Sequence, residues 1–78
     1  MTLWTTEPGV QLYTGNLIHE DAAPHGKGFV RYPRYGGLCL ETQSFPDSVN
    51  HPDFPDTVLK KGKVYRQKTI YQFAVFHE

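Results

Sequence analysis

The chain has 78 residues, eight Lys+Arg against eight Asp+Glu, and a single cysteine, Cys39. This length fits one small domain or a piece of a larger one. Zero net charge gives no global field for nucleic acid or an anionic membrane, no apolar run nears the ~20 residues of a membrane span, and a lone cysteine makes no internal disulfide.

Val, Ile, Thr, Tyr, Phe and Trp account for 26 of the 78 residues, against three alanines and 13 Gly plus Pro. Branched and aromatic side chains suit a pleated surface, while Gly and Pro interrupt helices, so the chain is expected to be all-β with antiparallel strands. Thr2–Thr6 reads as a strand that stops at the turn dipeptide Pro8-Gly9. Val10–Thr14 alternates, with Val10, Leu12 and Thr14 on one face and Gln11 and Tyr13 on the other. Asn16–Gly37 is a long connection rich in Gly, Pro and His, with a short strand expected at Phe29–Tyr32. Leu38–Gln43 alternates again and sets Leu38, Leu40 and Thr42 against Cys39, Glu41 and Gln43.

Phe45–Leu59 holds Pro46, Pro52 and Pro55, which bar a regular helix or a central strand; Phe45 and Phe54 are expected to pin this loop to a surface. Lys61-Gly62 reads as the turn into the longest strand, Val64–Phe76. Its odd positions, Tyr65 to Val75, form a mostly apolar stripe, as a half-buried strand requires. The segment from Lys60 to Lys68 carries five basic residues, read as a solvated face with cross-strand charge pairing.

A chain this short buries a small fraction of its surface and ordinarily needs a staple. None is visible here. His19-Glu20-Asp21 with His25, and His51 with Asp53, present nitrogen and oxygen ligands, but their spacing matches no zinc-finger or helical metal pattern, so no metal is expected. Cys39 has no neighbouring cation and reads as a small buried hydrophobe. No glycine-rich phosphate loop is present. Glu41 stands out as a carboxylate in mid-strand. Such a group faces water with a cationic neighbour, serves in a structural ion pair, or faces a polar cleft as an acid–base group. The absence of a basic-then-apolar leader after Met1 points to a reducing, cytoplasmic setting.

Four strings, in order, resemble the aldose 1-epimerase (galactose mutarotase) family. They are Thr5-Thr6-Glu7-Pro8-Gly9-Val10-Gln11-Leu12-Tyr13-Thr14-Gly15-Asn16, Gly37-Leu38-Cys39-Leu40-Glu41-Thr42-Gln43, the proline-rich Phe45–Pro55, and Gly62 and Tyr65 with the closing Thr69–Val75. The resemblance implies that residues 1–78 are the C-terminal part of a single, incomplete domain of the galactose mutarotase-like β-sandwich. It implies acid–base ring opening that interconverts α- and β-anomers of aldoses such as galactose and glucose, with no cofactor. The general base would be Glu41 and a sugar contact Gln11, while the family's acidic histidine and other sugar-binding residues lie earlier in the chain. His19, His25, His51 and His77 do not match that acid, and Leu38 replaces the commoner Phe. Partners are then an aldose sugar, with no nucleic acid and no membrane. The isolated chain is expected to be inactive and to self-associate through uncovered strands. The alternative is a truncated, non-catalytic module for carbohydrate binding or association.

Overall fold

Four strands organise the chain: β1 (Thr2–Thr5), β2 (Gly9–Tyr13), β3 (Cys39–Gln43) and β4 (Thr69–Gln72), with single 3₁₀ turns at Lys27–Phe29 and Ser48–Asn50. The computed structural model describes residues 1–18 and 25–77. No α-helix occurs among them, and the chain is all-β, as its composition predicts. Two units are distinguished, residues 1–10 with 42–78 and residues 11–41.

In the first unit β1 and β4 form an antiparallel ribbon in which Thr2 faces Gln72, Leu3 faces Tyr71, Trp4 faces Ile70 and Thr5 faces Thr69. The ladder continues one step further, where the Thr6 amide donates to the Lys68 carbonyl at 3.0 Å and the Lys68 amide donates to the Thr6 hydroxyl at 3.1 Å. β1 then ends because Pro8 brings no N–H and the Glu7 amide turns back to the Thr5 hydroxyl at 3.1 Å. Threonine hydroxyls tie the ribbon to the end of β3: Thr69 shares hydrogen bonds with Thr5 (3.1 Å) and Thr42 (2.8 Å). The Gln67 amide donates to the Thr42 hydroxyl at 2.8 Å and to its carbonyl at 3.2 Å.

The closing strand is shorter than its alternation predicts. Only Thr69–Gln72 of the expected Val64–Phe76 is a strand. Period-two patterning reports which face a residue takes; a strand also needs a partner ladder, and β1 is four residues long. Beyond the ladder Phe73 and Val75 are 77% and 79% exposed, so the expected half-buried stripe has nothing to bury against among the described residues. The Lys61-Gly62 turn is present, with the Lys63 amide bonded to the Lys60 carbonyl at 3.0 Å and Gly62 at φ 84°.

The proline-rich loop is organised by consecutive i to i+3 turns, from Asp47 to Asn50, Ser48 to His51 and His51 to Phe54, each at 3.0 Å. The one 3₁₀ turn this makes is compatible with prolines that forbid a longer helix. Phe45 and Phe54 meet with centroids 5.1 Å apart, and the His51 ring stacks on Phe54 at 4.6 Å. His51 Nε2 also lies 3.2 Å from the Asp47 carboxylate. The Phe45 ring packs over Gly9, where a Cβ would come within 3.1 Å of it, so any larger residue at the start of β2 would have to shift that ring.

In the second unit the expected strand at Phe29–Tyr32 is replaced by an isolated bridge between His25 and Arg31 around the turn at Lys27–Phe29. Phe29 lies at φ 60°, a left-handed value that a strand does not allow. Cys39, expected to be buried, is exposed. This correction has the same origin as the short β4: a strand face that reads as inward in the sequence finds no cover in these residues.

No hydrophobic side chain is buried among the described residues. Fully burying one large apolar side chain contributes about 1.5–3 kcal/mol, and the chain realises only part of that at each of its strand positions. Backbone ladders therefore hold the described residues together without a core, and a two-stranded ribbon alone is marginal in water. The isolated chain should unfold over a broad temperature range at dilute concentration and should bind a hydrophobic dye before heating. A sharp monomeric two-state calorimetric transition would contradict this.

Candidate functional site

The two residues singled out by the sequence lie on neighbouring strands. Gln11 is the third residue of β2 and Glu41 the third residue of β3, and β2 and β3 pair in a second two-stranded sheet. Both are exposed. The Gln11 amide makes one weak local contact, donating to the Leu12 carbonyl at 3.5 Å, and its remaining hydrogen-bonding capacity faces solvent. Alternation puts Tyr13 on the face of β2 that carries Gln11, and Cys39 and Gln43 on the face of β3 that carries Glu41.

The exit of β2 and the entry of β3 are held by Gly15. Its carbonyl accepts from the amides of Ile18 and Tyr35, both at 3.2 Å. Gly15 lies at φ 74°, and a Cβ there would stand 3.1 Å from the Gly37 carbonyl oxygen, so conformation and space both demand glycine. Beside this clamp is a cavity of about 310 Å³ whose lining includes Tyr13, Ile18, Tyr32, Leu38 and Cys39. Its wall is mostly apolar and carries two tyrosines; Gln11 and Glu41 are not among its lining residues. Of the three settings open to Glu41 in the sequence, the structure shows it exposed.

The metal expectation touches few described residues. His19, Glu20 and Asp21 lie outside them. His25 is exposed, and its Nε2 accepts from Arg31 Nε at 3.3 Å. Among the described residues no group of three or more His, Cys, Asp or Glu is arranged to hold a metal ion, and no helix is long and apolar enough to cross a membrane.

A second cleft, in the first unit, escaped the sequence reading. It has a volume of about 520 Å³ and is lined by residues that include Glu7, Ser44, Asp56, Tyr65 and Arg66. The Tyr65 hydroxyl donates to the Glu7 carboxylate. That hydrogen bond, reinforced by the carboxylate's charge, raises the Tyr65 pKa above its ordinary 10.0. A separation of 58 positions in the chain leaves no local signal for the pair.

A sequence profile described as aldose 1-epimerase matches residues 1–72. Galactose mutarotase of Mus musculus is 48% identical over 75 residues, which cover 96% of this chain and 21% of that protein. Galactose mutarotase of Homo sapiens is 45% identical with the same coverage. Aldose 1-epimerase of Escherichia coli strain K12 is 37% identical over 75 residues, 94% of this chain and 21% of its own. The chain thus spans about one-fifth of the length of the curated relatives it matches.

The Tyr65 assignment has a direct check. A raised phenol pKa means that this bond favours the folded state fully below the ordinary value of 10.0, and that the contribution is lost as pH rises through the higher folded value. In an ultraviolet titration Glu7→Gln should return the most alkaline tyrosine transition towards 10.0. An unchanged titration curve would remove the bond.

Proposed function

The chain belongs to the aldose 1-epimerase family, and from that premise we propose that residues 1–78 form the C-terminal, base-bearing part of a domain that interconverts the α- and β-anomers of aldoses such as galactose and glucose. The observation that carries the reading is the pairing of β2 with β3, which sets the strand of Gln11 beside the strand of Glu41 with both side chains exposed.

In this reading Glu41 takes the proton from the anomeric O1 hydroxyl. An acid from outside these residues gives a proton to the ring oxygen as the C1–O5 bond breaks and the C1 carbonyl forms. Rotation about C1–C2 presents the other carbonyl face, and ring closure returns the protons with the roles reversed. Glu41 needs no partner within its own strand for this, and as an exposed carboxylate it is free to meet a hydroxyl. Gln11 offers both an N–H donor and a carbonyl acceptor, a pairing suited to a sugar hydroxyl that is itself donor and acceptor. The wall of Tyr13 and Tyr32 would receive the apolar face of the ring. An exposed thiol at Cys39 accords with a reducing, cytoplasmic setting.

The test is a covalent chimera in which this chain replaces the matching fifth of the mouse relative, assayed by the optical rotation of fresh α-D-galactose. The chimera should be active and the 78 residues alone inactive. Glu41→Gln preserves shape and removes basicity, so kcat should fall about 10²–10⁴-fold. Gln11→Ala should act mainly on KM, with a smaller loss of kcat. A fully active Glu41→Gln chimera would assign the base elsewhere. An inactive chimera that still binds galactose would favour the alternative, a carbohydrate-binding module without catalysis.

A further inference from the structure

We propose that the cleft lined by Glu7, Asp56 and Arg66 in the first unit binds a zwitterion, an α-amino acid with a branched apolar side chain, whose carboxylate meets Arg66 and whose ammonium meets the two acidic side chains.

The end of β1 brings Glu7 and Pro8 to this cleft, the end of the proline-rich loop brings Pro55 to Leu59, and the segment before β4 brings Tyr65 and Arg66. At about 520 Å³ it has the size of an ordinary small-molecule site. Neither Gln11 nor Glu41 lines it.

Its charges do not neutralise one another. A guanidinium and two carboxylates line the one cleft, yet Arg66 forms no ion pair or hydrogen bond among the described residues. Opposite charges that line a cleft without pairing present separate poles, and a zwitterion carries the matching two. A phosphate would bring two negative charges to a site with two carboxylates and one cation. A simple amine would leave the guanidinium unmet, whereas a ligand carboxylate suits its planar fork. A neutral polyol would gain hydrogen bonds without matching either pole.

Each acid keeps an oxygen for the ammonium. Glu7 accepts from the Tyr65 hydroxyl at Oε1, and Asp56 accepts from the Val58 amide at Oδ1, at 3.0 Å. Oε2 and Oδ2 remain for a ligand. Glu7 is half-buried, so it attracts a cation more strongly than a fully solvated carboxylate does. Pro8, Pro55, Val58 and Leu59 supply an apolar wall for the ligand's side chain.

The probes are L-leucine, isocaproate, which lacks the ammonium, and isoamylamine, which lacks the carboxylate. Binding to the 78-residue chain is read by ligand-observed NMR titration, with D-galactose as the polyol control. L-Leucine should bind about tenfold or more tightly than either analogue, since each analogue lacks one charge-assisted pair. Arg66→Gln should weaken L-leucine about tenfold and leave isoamylamine unchanged. Asp56→Asn keeps an oxygen for the Val58 amide; it should weaken L-leucine and isoamylamine and leave isocaproate unchanged. A change in the fold alone would weaken all three probes together. The proposal is overturned by the absence of saturable L-leucine binding, by equal binding of the three probes, by uniform weakening of all three in either variant, or by a preference for D-galactose.

Discussion

Every β-ribbon has two faces and two edges, and water is a poor partner for apolar faces and a permissive one for edges. In the β1–β4 ribbon the inner ladder joins the two strands. Backbone hydrogen bonds and a relay of threonine hydroxyls, Thr5 to Thr69 to Thr42, hold its strands in register. These bonds fix geometry but contribute modestly to net stability, because each replaces bonds to water. Burial is the larger stabilising term in ordinary domains, and here no hydrophobic side chain is fully buried among the described residues. The short β4, the exposed Cys39 and the exposed tail at Phe73 and Val75 are consequences of that one deficit.

The strands were legible to the extent that their information is local. Thr2–Thr5, Gly9–Tyr13 and Cys39–Gln43 are found within a residue of the positions that alternation and turn dipeptides indicate. The loop's aromatics were read as pinning it to a surface; Phe45 does pack over Gly9, while the contact between Phe45 and Phe54 was not foreseen. Illegible were quantities that depend on a partner. Alternation over Val64–Phe76 marks a face but is silent on how much ladder exists to define a strand. The turn at Lys27–Phe29 displaced the expected strand at Phe29–Tyr32 because Phe29 adopts a left-handed φ, which side-chain type does not announce.

For the candidate site, the strands and their alternating faces were readable and the surroundings were not. Gln11 and Glu41 were identified from motif resemblance, and the strand pairing supplies the geometric reason for considering them together. Glu41, left open in the sequence between water, an ion pair and a polar cleft, is exposed. The Glu7–Tyr65 bond shows the opposite limit: a specific interaction between the two ends of the chain that no local pattern foreshadows. Glu7 falls within the first motif and Tyr65 within the last, so the bond joins segments that the family resemblance had marked separately.

The carbonyl of Gly15 accepts from Ile18 and Tyr35 at once, closing the base of the connection between β2 and β3 with the backbone alone. Chain length between those two contacts is thereby uncoupled from strand presentation. Each doubling of a flexible loop adds only about 0.6 kcal/mol of closure entropy, which is comparable to one ordinary hydrogen bond. Evolution or a protein engineer can therefore lengthen, shorten or recode the residues above the clamp as an interchangeable cassette. The strands bearing Gln11 and Glu41 would keep their places while the rim beside them acquires a new shape.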